Sequence, residues 1–299
     1  MLRKVRRLAG RVIAGAGELL GSGLLVAMRL LALPTTRTDV FRAERVLVVG
    51  AHPDDEISLG SVVFSPAFGR GGELTVLILT SGGASRAGGL PPETMAARRA
   101  VELRKSCARL GAARVIHLGH PEWRWDPEAV RAVVAEEVRL ADLVCTHSPV
   151  DYNPDHLRLS RLVAEVVAPG QRVWLGELQT LLTPLLSNRV VRLSPAEVAM
   201  RDAATAAHVT QAGTLAAIQR QQRLLARAYG GREVMTFWEM DGATLQRVTA
   251  CAAEWIDAPA RTPFRGVRLR GFSDPLAVMR GTLARWRLRK VAPRLGTSR

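Results

Sequence analysis

Short apolar runs rich in β-branched residues alternate along the middle of the chain with longer segments of helical period. Val46–Val49 is wholly apolar and ends at a Gly-Ala breaker, the pattern of a strand buried on both faces. Glu73–Thr80, Arg114–Gly119, Asp142–His147 and Arg172–Leu178 repeat this pattern. Between them, Glu93–Leu110 reads as a helix with its apolar stripe at Ala97, Ala100, Val101, Leu103 and Ala108, stopped by Gly111. Pro127–Leu140 opens with a helix-start proline, and a further helix runs from about Asp155 to Val167. Ser194-Pro-Ala-Glu197 is a capping signature for one or two helices reaching Tyr229. Alternation of this kind predicts an α/β fold: a Rossmann-like three-layer sandwich with a mainly parallel sheet.

The two ends break the alternation. Val12–Leu33 is an apolar run behind a basic cluster (Arg3, Lys4, Arg6, Arg7, Arg11), interrupted by Glu18 and Arg29. A charge at a membrane centre costs about 2.5–3.5 kcal/mol on insertion scales, so a helix lying on a surface or docked on a partner is expected ahead of a span, a signal-anchor or an ordinary packed helix. Pro275–Val291 sets Leu276, Met279, Leu283 and Trp286 at helical spacing among Arg280, Arg285, Arg287, Arg289 and Lys290. The expected organisation is therefore a basic apolar segment over 1–40, an α/β domain over 41–257 and a basic amphipathic tail over 258–299.

Charge sharpens the reading of the tail. The net charge is +15, and residues 258–299 carry eleven Arg or Lys against one acid, Asp274. That balance points to a polyanion or an anionic membrane near the terminus and is silent about the fold. No nucleic-acid motif accompanies it, and charge alone confers only nonspecific affinity, so no specific nucleic-acid partner is expected. Cys107, Cys145 and Cys251 lack disulfide or zinc-thiolate spacing and read as buried small residues of a reducing compartment. A cytoplasmic protein, peripheral at the inner face of the membrane, is the resulting expectation. Nothing in the pattern sets an oligomeric state.

Candidate chemistry sits at two strand ends. His52-Pro-Asp54-Asp55-Glu56 follows the first strand, and His147-Ser-Pro-Val-Asp151-Tyr-Asn153-Pro-Asp155-His156 follows the fourth. In open α/β sheets ligands bind beyond the carboxyl ends of strands. Acids packed beside histidines need a cation or ordered hydrogen bonds. A catalytic zinc site uses three His or carboxylate ligands and keeps a fourth position for water; His52, Asp55 and His156 supply that set. Glu122, Trp123 and Trp125, near the end of the third strand, are candidates to line a substrate cleft.

Ala51-His-Pro-Asp-Asp-Glu56 together with Pro154-Asp-His156 resembles the PIG-L/LmbE family of zinc-dependent N-deacetylases. The likeness runs from about Arg45 to Val167, and more weakly through Ala206–Gln211 and Gly231–Phe237. It implies a Rossmann-like fold and hydrolysis of an N-acetyl group on a glucosamine-type sugar. By position it implies zinc (Zn2+) on His52, Asp55 and His156, Asp54 as general base, Arg99 near the substrate and Asp155 orienting an imidazole. Asn153 stands where the family usually has His, and Ser81 where relatives tend to have Asp. Asn donates a hydrogen bond but shuttles no proton near neutral pH. Either Asn153 keeps the electrostatic half of the role, or His147 supplies the proton, or activity is reduced. With the basic termini, the substrate expected is an amino sugar of a lipid-linked glycoconjugate. The alternatives are a soluble conjugate in thiol-cofactor or antibiotic biosynthesis, and a weakened carbohydrate or polyanion binder.

Overall fold

In a computed structural model of the chain, Val26 and residues 41–256 are described, apart from 86, 150, 152, 177–186 and 232. Apart from Val26, which is helical, the helices expected over 12–33 and 275–291 lie outside them. Strands β1 (Ala43–Gly50), β2 (Gly71–Thr80), β3 (Arg114–His120), β4 (Leu143–His147) and β5 (Arg172–Gly176) run parallel. Strands β6 (Arg189–Arg192) and β7 (Val234–Asp241) complete the sheet antiparallel, in the order β3-β2-β1-β4-β5-β7-β6. This is the mainly parallel Rossmann-like sheet that the alternation predicts. The antiparallel β6 and β7 were not anticipated from the pattern.

The strand order reverses between β1 and β4, which pair through Val46 and Leu143. A crevice opens at such a switch point because the connections leave it in opposite directions. Both acid/His segments emerge there.

The helices fall on two faces. α2 (Pro92–Leu110), α5 (Pro195–Thr205) and α6 (Ala212–Ala228) join a core with Val46, Val48, Leu74 and Val76. α3 (Pro127–Leu140), α4 (Pro154–Val166) and α7 (Gly242–Ile256) join the other with Leu47, Val49, Val144 and Val173. The short helix α1 (Asp55–Ser58) follows β1 directly. Residues 46–49 alternate between the two cores, so all four are buried. Each fully buried Val or Leu contributes roughly 1.5–3 kcal/mol.

The buried face of α2 differs from the expected stripe. It is Met95, Arg99, Glu102, Leu103, Ser106, Cys107 and Leu110, with Ala97, Val101 and Ala108 outward. An apolar tally misses this face because Arg99 and Glu102 are buried to serve the loops above the sheet. The capping box of Ser194 and Glu197 forms as the sequence indicates. Among the described residues no helix is long and apolar enough to cross a membrane.

Candidate active site

His52 Nδ1 and His156 Nε2 lie 3.1 Å apart, and Asp55 Oδ2 is 3.4 Å from the first and 3.5 Å from the second. The outer nitrogens are spoken for. His52 Nε2 is 3.2 Å from Asp155 Oδ2, and His156 Nδ1 is 2.8 Å from Asp151 Oδ2. Carboxylates only accept, so each outer nitrogen carries the hydrogen. In the neutral rings, two imidazole lone pairs and a carboxylate oxygen then converge with no donor between them. Their spacings match the ~3.3 Å edge of a tetrahedron whose arms are about 2.0–2.1 Å, the zinc–nitrogen length. The trio fits a divalent cation, and Asp151 and Asp155 stand on the outer nitrogens as carboxylates do behind histidines of metal sites. A second trio, His147, Asp151 and His156, shares His156, whose Nδ1 already faces Asp151. It is support behind the first.

The electrostatics show the same demand for positive charge. Burial disfavours the His52 imidazolium, yet hydrogen bonds to Asp155 and Asp55 outweigh it and raise its pKa to about 10. Burial would raise Asp55, but the imidazoles of His156 and His147 hold it well below the usual carboxylate range. Asp54 is pushed up by burial, partly offset by the Arg99 guanidinium. A carboxylate raised toward neutrality is suited to accept and return a proton.

The β1 loop is held by remote residues. Gly50 has no room for a side chain, since a Cβ there would come within 2.7 Å of the Asp55 Cβ. Asp54 has φ 133, outside the ordinary range for a residue with a Cβ. Its N–H donates to Glu56 Oε2 at 3.0 Å, and its Oδ1 accepts from Arg99 Nη2 at 2.8 Å. Arg99 also donates to the carbonyls of Pro53 and Gly82. Gly82, at φ 74, leaves the space that the guanidinium crosses. Glu56 is fully buried, and its Oε1 lies 2.5 Å from His208 Nε2. His208 precedes a 3-10 turn between α5 and α6, not within a helix as its surroundings in sequence indicate. Two residues on, Thr210 donates to Glu102 through N–H and hydroxyl.

The β4 loop supports itself. Asn153 caps α4, its Oδ1 accepting from Asp155 N–H at 2.9 Å, and Asp151 Oδ1 accepts the Asn153 N–H. Asp155, fully buried, also accepts from the Trp123 N–H and the Trp125 indole N–H.

Four residues given substrate-side roles from the sequence are buried, one of them the cleft candidate Trp125, whose indole N–H donates to Asp155. His147 does not face a cleft: it is fully buried, stacked on His156 at 3.7 Å, with Nε2 3.1 Å from Asp55 Oδ2. Arg99 is buried and its guanidinium is engaged with Asp54 and the carbonyls of Pro53 and Gly82, which holds Asp54 in place. Glu122 is buried and accepts the Ala84 N–H, which ties two loops together. The orienting roles of Asp151, Glu56 and His208 were missed; only the proximity of Asp151 to His156 in sequence hinted at one of them.

Residues 47–167 match the family model described as PIG-L: GlcNAc-PI de-N-acetylase. The chain carries a PIG-L family domain. Both halves of the site lie inside it, whereas His208 lies beyond it. Solved structures similar to this chain share its fold at low sequence identity. N,N'-diacetylchitobiose deacetylase from Pyrococcus horikoshii matches with TM-score 0.56 and 18% identity, covering 67% of this chain and 85% of that one. The A40926 pseudoaglycone deacetylase matches with TM-score 0.51 and 20% identity, covering 67% and 98%. The 4-carboxy-2-hydroxymuconate hydratase from Pseudomonas putida KT2440 matches with TM-score 0.52 and 18% identity, covering 66% and 96%. A fold shared by deacetylases and a hydratase does not choose the reaction; the site must. No curated protein matches the chain significantly in sequence.

Proposed function

We propose that this PIG-L domain is a metal-dependent N-deacetylase of N-acetylglucosamine-type amino sugars. The observation that carries the reading is the convergence of His52 Nδ1, His156 Nε2 and Asp55 Oδ2 beside Asp54. His52, Asp55 and His156 would hold the cation, and their mixed nitrogen and oxygen donors suit zinc. A divalent cation there supplies Lewis-acid polarisation of an acyl carbonyl and lowers the pKa of a water.

The chain's own residues do the rest. Asp155 and Asp151 keep both imidazoles in the tautomer that turns lone pairs inward. Arg99 and Glu56 hold Asp54 in its unusual backbone conformation, with its carboxylate beside the ligands. Asp54 takes the proton of the attacking water. His147 is sealed in the core and Asn153 cannot carry a proton, so Asp54 also returns that proton to the departing amine. The C–N bond breaks and the products are acetate and a free amine. The Asn153 Oδ1 is committed to the helix cap, which leaves its amide hydrogens as donors for the acyl oxygen.

Asp54→Asn tests this. Elemental analysis should find the cation retained while amine release from N-acetylglucosamine conjugates falls about 10²–10⁴-fold. Undiminished turnover would remove Asp54 from the chemistry. The basic apolar spacing of 275–291 supports a substrate carried on an anionic membrane. Co-sedimentation of the full chain with anionic but not neutral vesicles is expected; its absence favours a soluble sugar conjugate.

A further inference from the structure

Trp123 breaks two habits of its residue type. Among the described residues Phe41, Phe64, Trp125, Trp174, Phe237 and Trp238 are buried, but Trp123 is 59% exposed. Its backbone is also left-handed, φ 64, a conformation that suits glycine and disfavours a bulky side chain. Such a conformation persists only where the surroundings over-determine it, and it tends to mark function.

The surroundings here do over-determine it. The Trp123 N–H donates to Asp155 Oδ1 at 3.0 Å and Oδ2 at 3.1 Å, and its carbonyl accepts from Arg158 Nη1 at 3.3 Å. Glu122, just before it, is buried and clamped to the Ala84 N–H. Just after it, the buried Trp125 donates to Asp155 Oδ1 at 2.9 Å and lies under the Arg158 guanidinium. Residues 122–125 are therefore pinned on both sides, and the Trp123 ring is turned outward. The central pin, Asp155, is the carboxylate whose Oδ2 lies 3.2 Å from His52 Nε2. One side chain thus fixes both a ligand imidazole and the exposed indole.

Folding does not account for the ring. Glycine would suit the backbone better, and most of the indole area stays in water. We propose that the Trp123 indole is the platform on which a pyranose ring of the substrate stacks, C–H face against the aromatic face. A pyranose with equatorial substituents presents polarised axial C–H groups, which the electron-rich face of an indole attracts. This assignment rests on the amino-sugar reading of the site and adds to it a binding surface outside the ligand cluster.

The test compares zinc-loaded full-length protein with its Trp123→Gly and Trp123→Phe variants, using N,N'-diacetylchitobiose. In Trp123→Gly, KM should rise about tenfold while kcat stays within about twofold. Its zinc content should match the wild type and its melting temperature should be equal or higher, because glycine relieves the left-handed backbone. Trp123→Phe should recover most of the affinity without the thermal gain. A KM unchanged in Trp123→Gly overturns the proposal. So does a raised KM accompanied by a lower melting temperature and lost zinc, because the ring is then structural. Should the wild type hydrolyse no acetamide, the deacetylase reading fails on that result alone. The platform is then judged by saturation-transfer NMR of the disaccharide: a signal in the wild type that is lost in Trp123→Gly upholds it, and an equal signal or none overturns it.

Discussion

The two loops that meet at the switch point contribute to one cluster but are held in opposite ways. Residues 52–56 carry two proposed ligands and the proposed base, and the bonds within the loop, His52 N–H to Asp55 Oδ2 and Asp54 N–H to Glu56 Oε2, are joined by remote ones. Asp54 depends on Arg99 of α2, 45 positions away, and Glu56 depends on His208, 152 positions away. Residues 151–156 are held more by near neighbours: Asp151 orients His156 and Asn153 caps the helix on which His156 stands, while Asp155 also accepts from Trp123 and Trp125. The half with the proposed base thus leans on distant parts of the chain as well as on its own bonds, and the second half chiefly on nearer neighbours. Remote substitutions should damage the first selectively, and local ones the second.

The largest expected effect lies on the remote side. His208→Ala leaves the Glu56 carboxylate buried without its partner, a loss of about 3–5 kcal/mol for a broken buried pair. Urea unfolding measures it, and Glu56→Gln in the same background should recover part of the loss. Near-additive effects of the two changes would show that the pair is not coupled.

The next effect joins the two loops through protons. In the metal-free protein the His52 pKa is raised from 6.5 to about 10 by Asp155 and Asp55. A raised pKa stabilises fully below the unfolded value, about 6.5, and the contribution is lost as pH rises toward 10. Unfolding free energy of the metal-free protein, read by urea denaturation, should fall across that window with a slope of at most about 1.4 kcal/mol per pH unit for this one group. A bound cation replaces that proton, so the metal-loaded protein should show a flatter profile. Equal slopes with and without metal would count against His52 as a ligand.

The smallest effect is local. Asp151→Asn exchanges the carboxylate that accepts from His156 Nδ1 for an amide, which should weaken metal affinity about 10–100-fold. The fold should stay intact, because α4 keeps its Asn153 cap. Competition with a chelating dye reads the affinity, and an unchanged value would reduce Asp151 to a packing role.

The same division explains which parts were legible in the sequence. Val46–Val49 showed itself as a strand because both of its faces are apolar, and that cause is local. His52, Asp55 and His156 stood out as metal-capable residue types at the ends of predicted strands. β6 and β7 were missed because their place in the sheet is set by pairing, β7 with β5 and β6 with β7, not by period. The buried face of α2 was misjudged because Arg99 and Glu102 are polar and sit inward for the sake of the loops they serve. His147 offers the same chemistry on paper whether it faces a substrate or a core; only packing against His156 and Asp55 puts it in the core.

Local patterning alone therefore determined the strand–helix alternation, the parallel sheet it entails and the residue types at the two strand ends. The tertiary structure decided which lone pairs converge, which carboxylate accepts from which imidazole, and that Arg99, His208 and the Trp123 N–H are bonded to the two loops. Those relations depend on residues up to 152 positions apart meeting at a few ångströms. A periodicity carries no record of such meetings, because they are made by the packing of both helical layers against one twisted sheet.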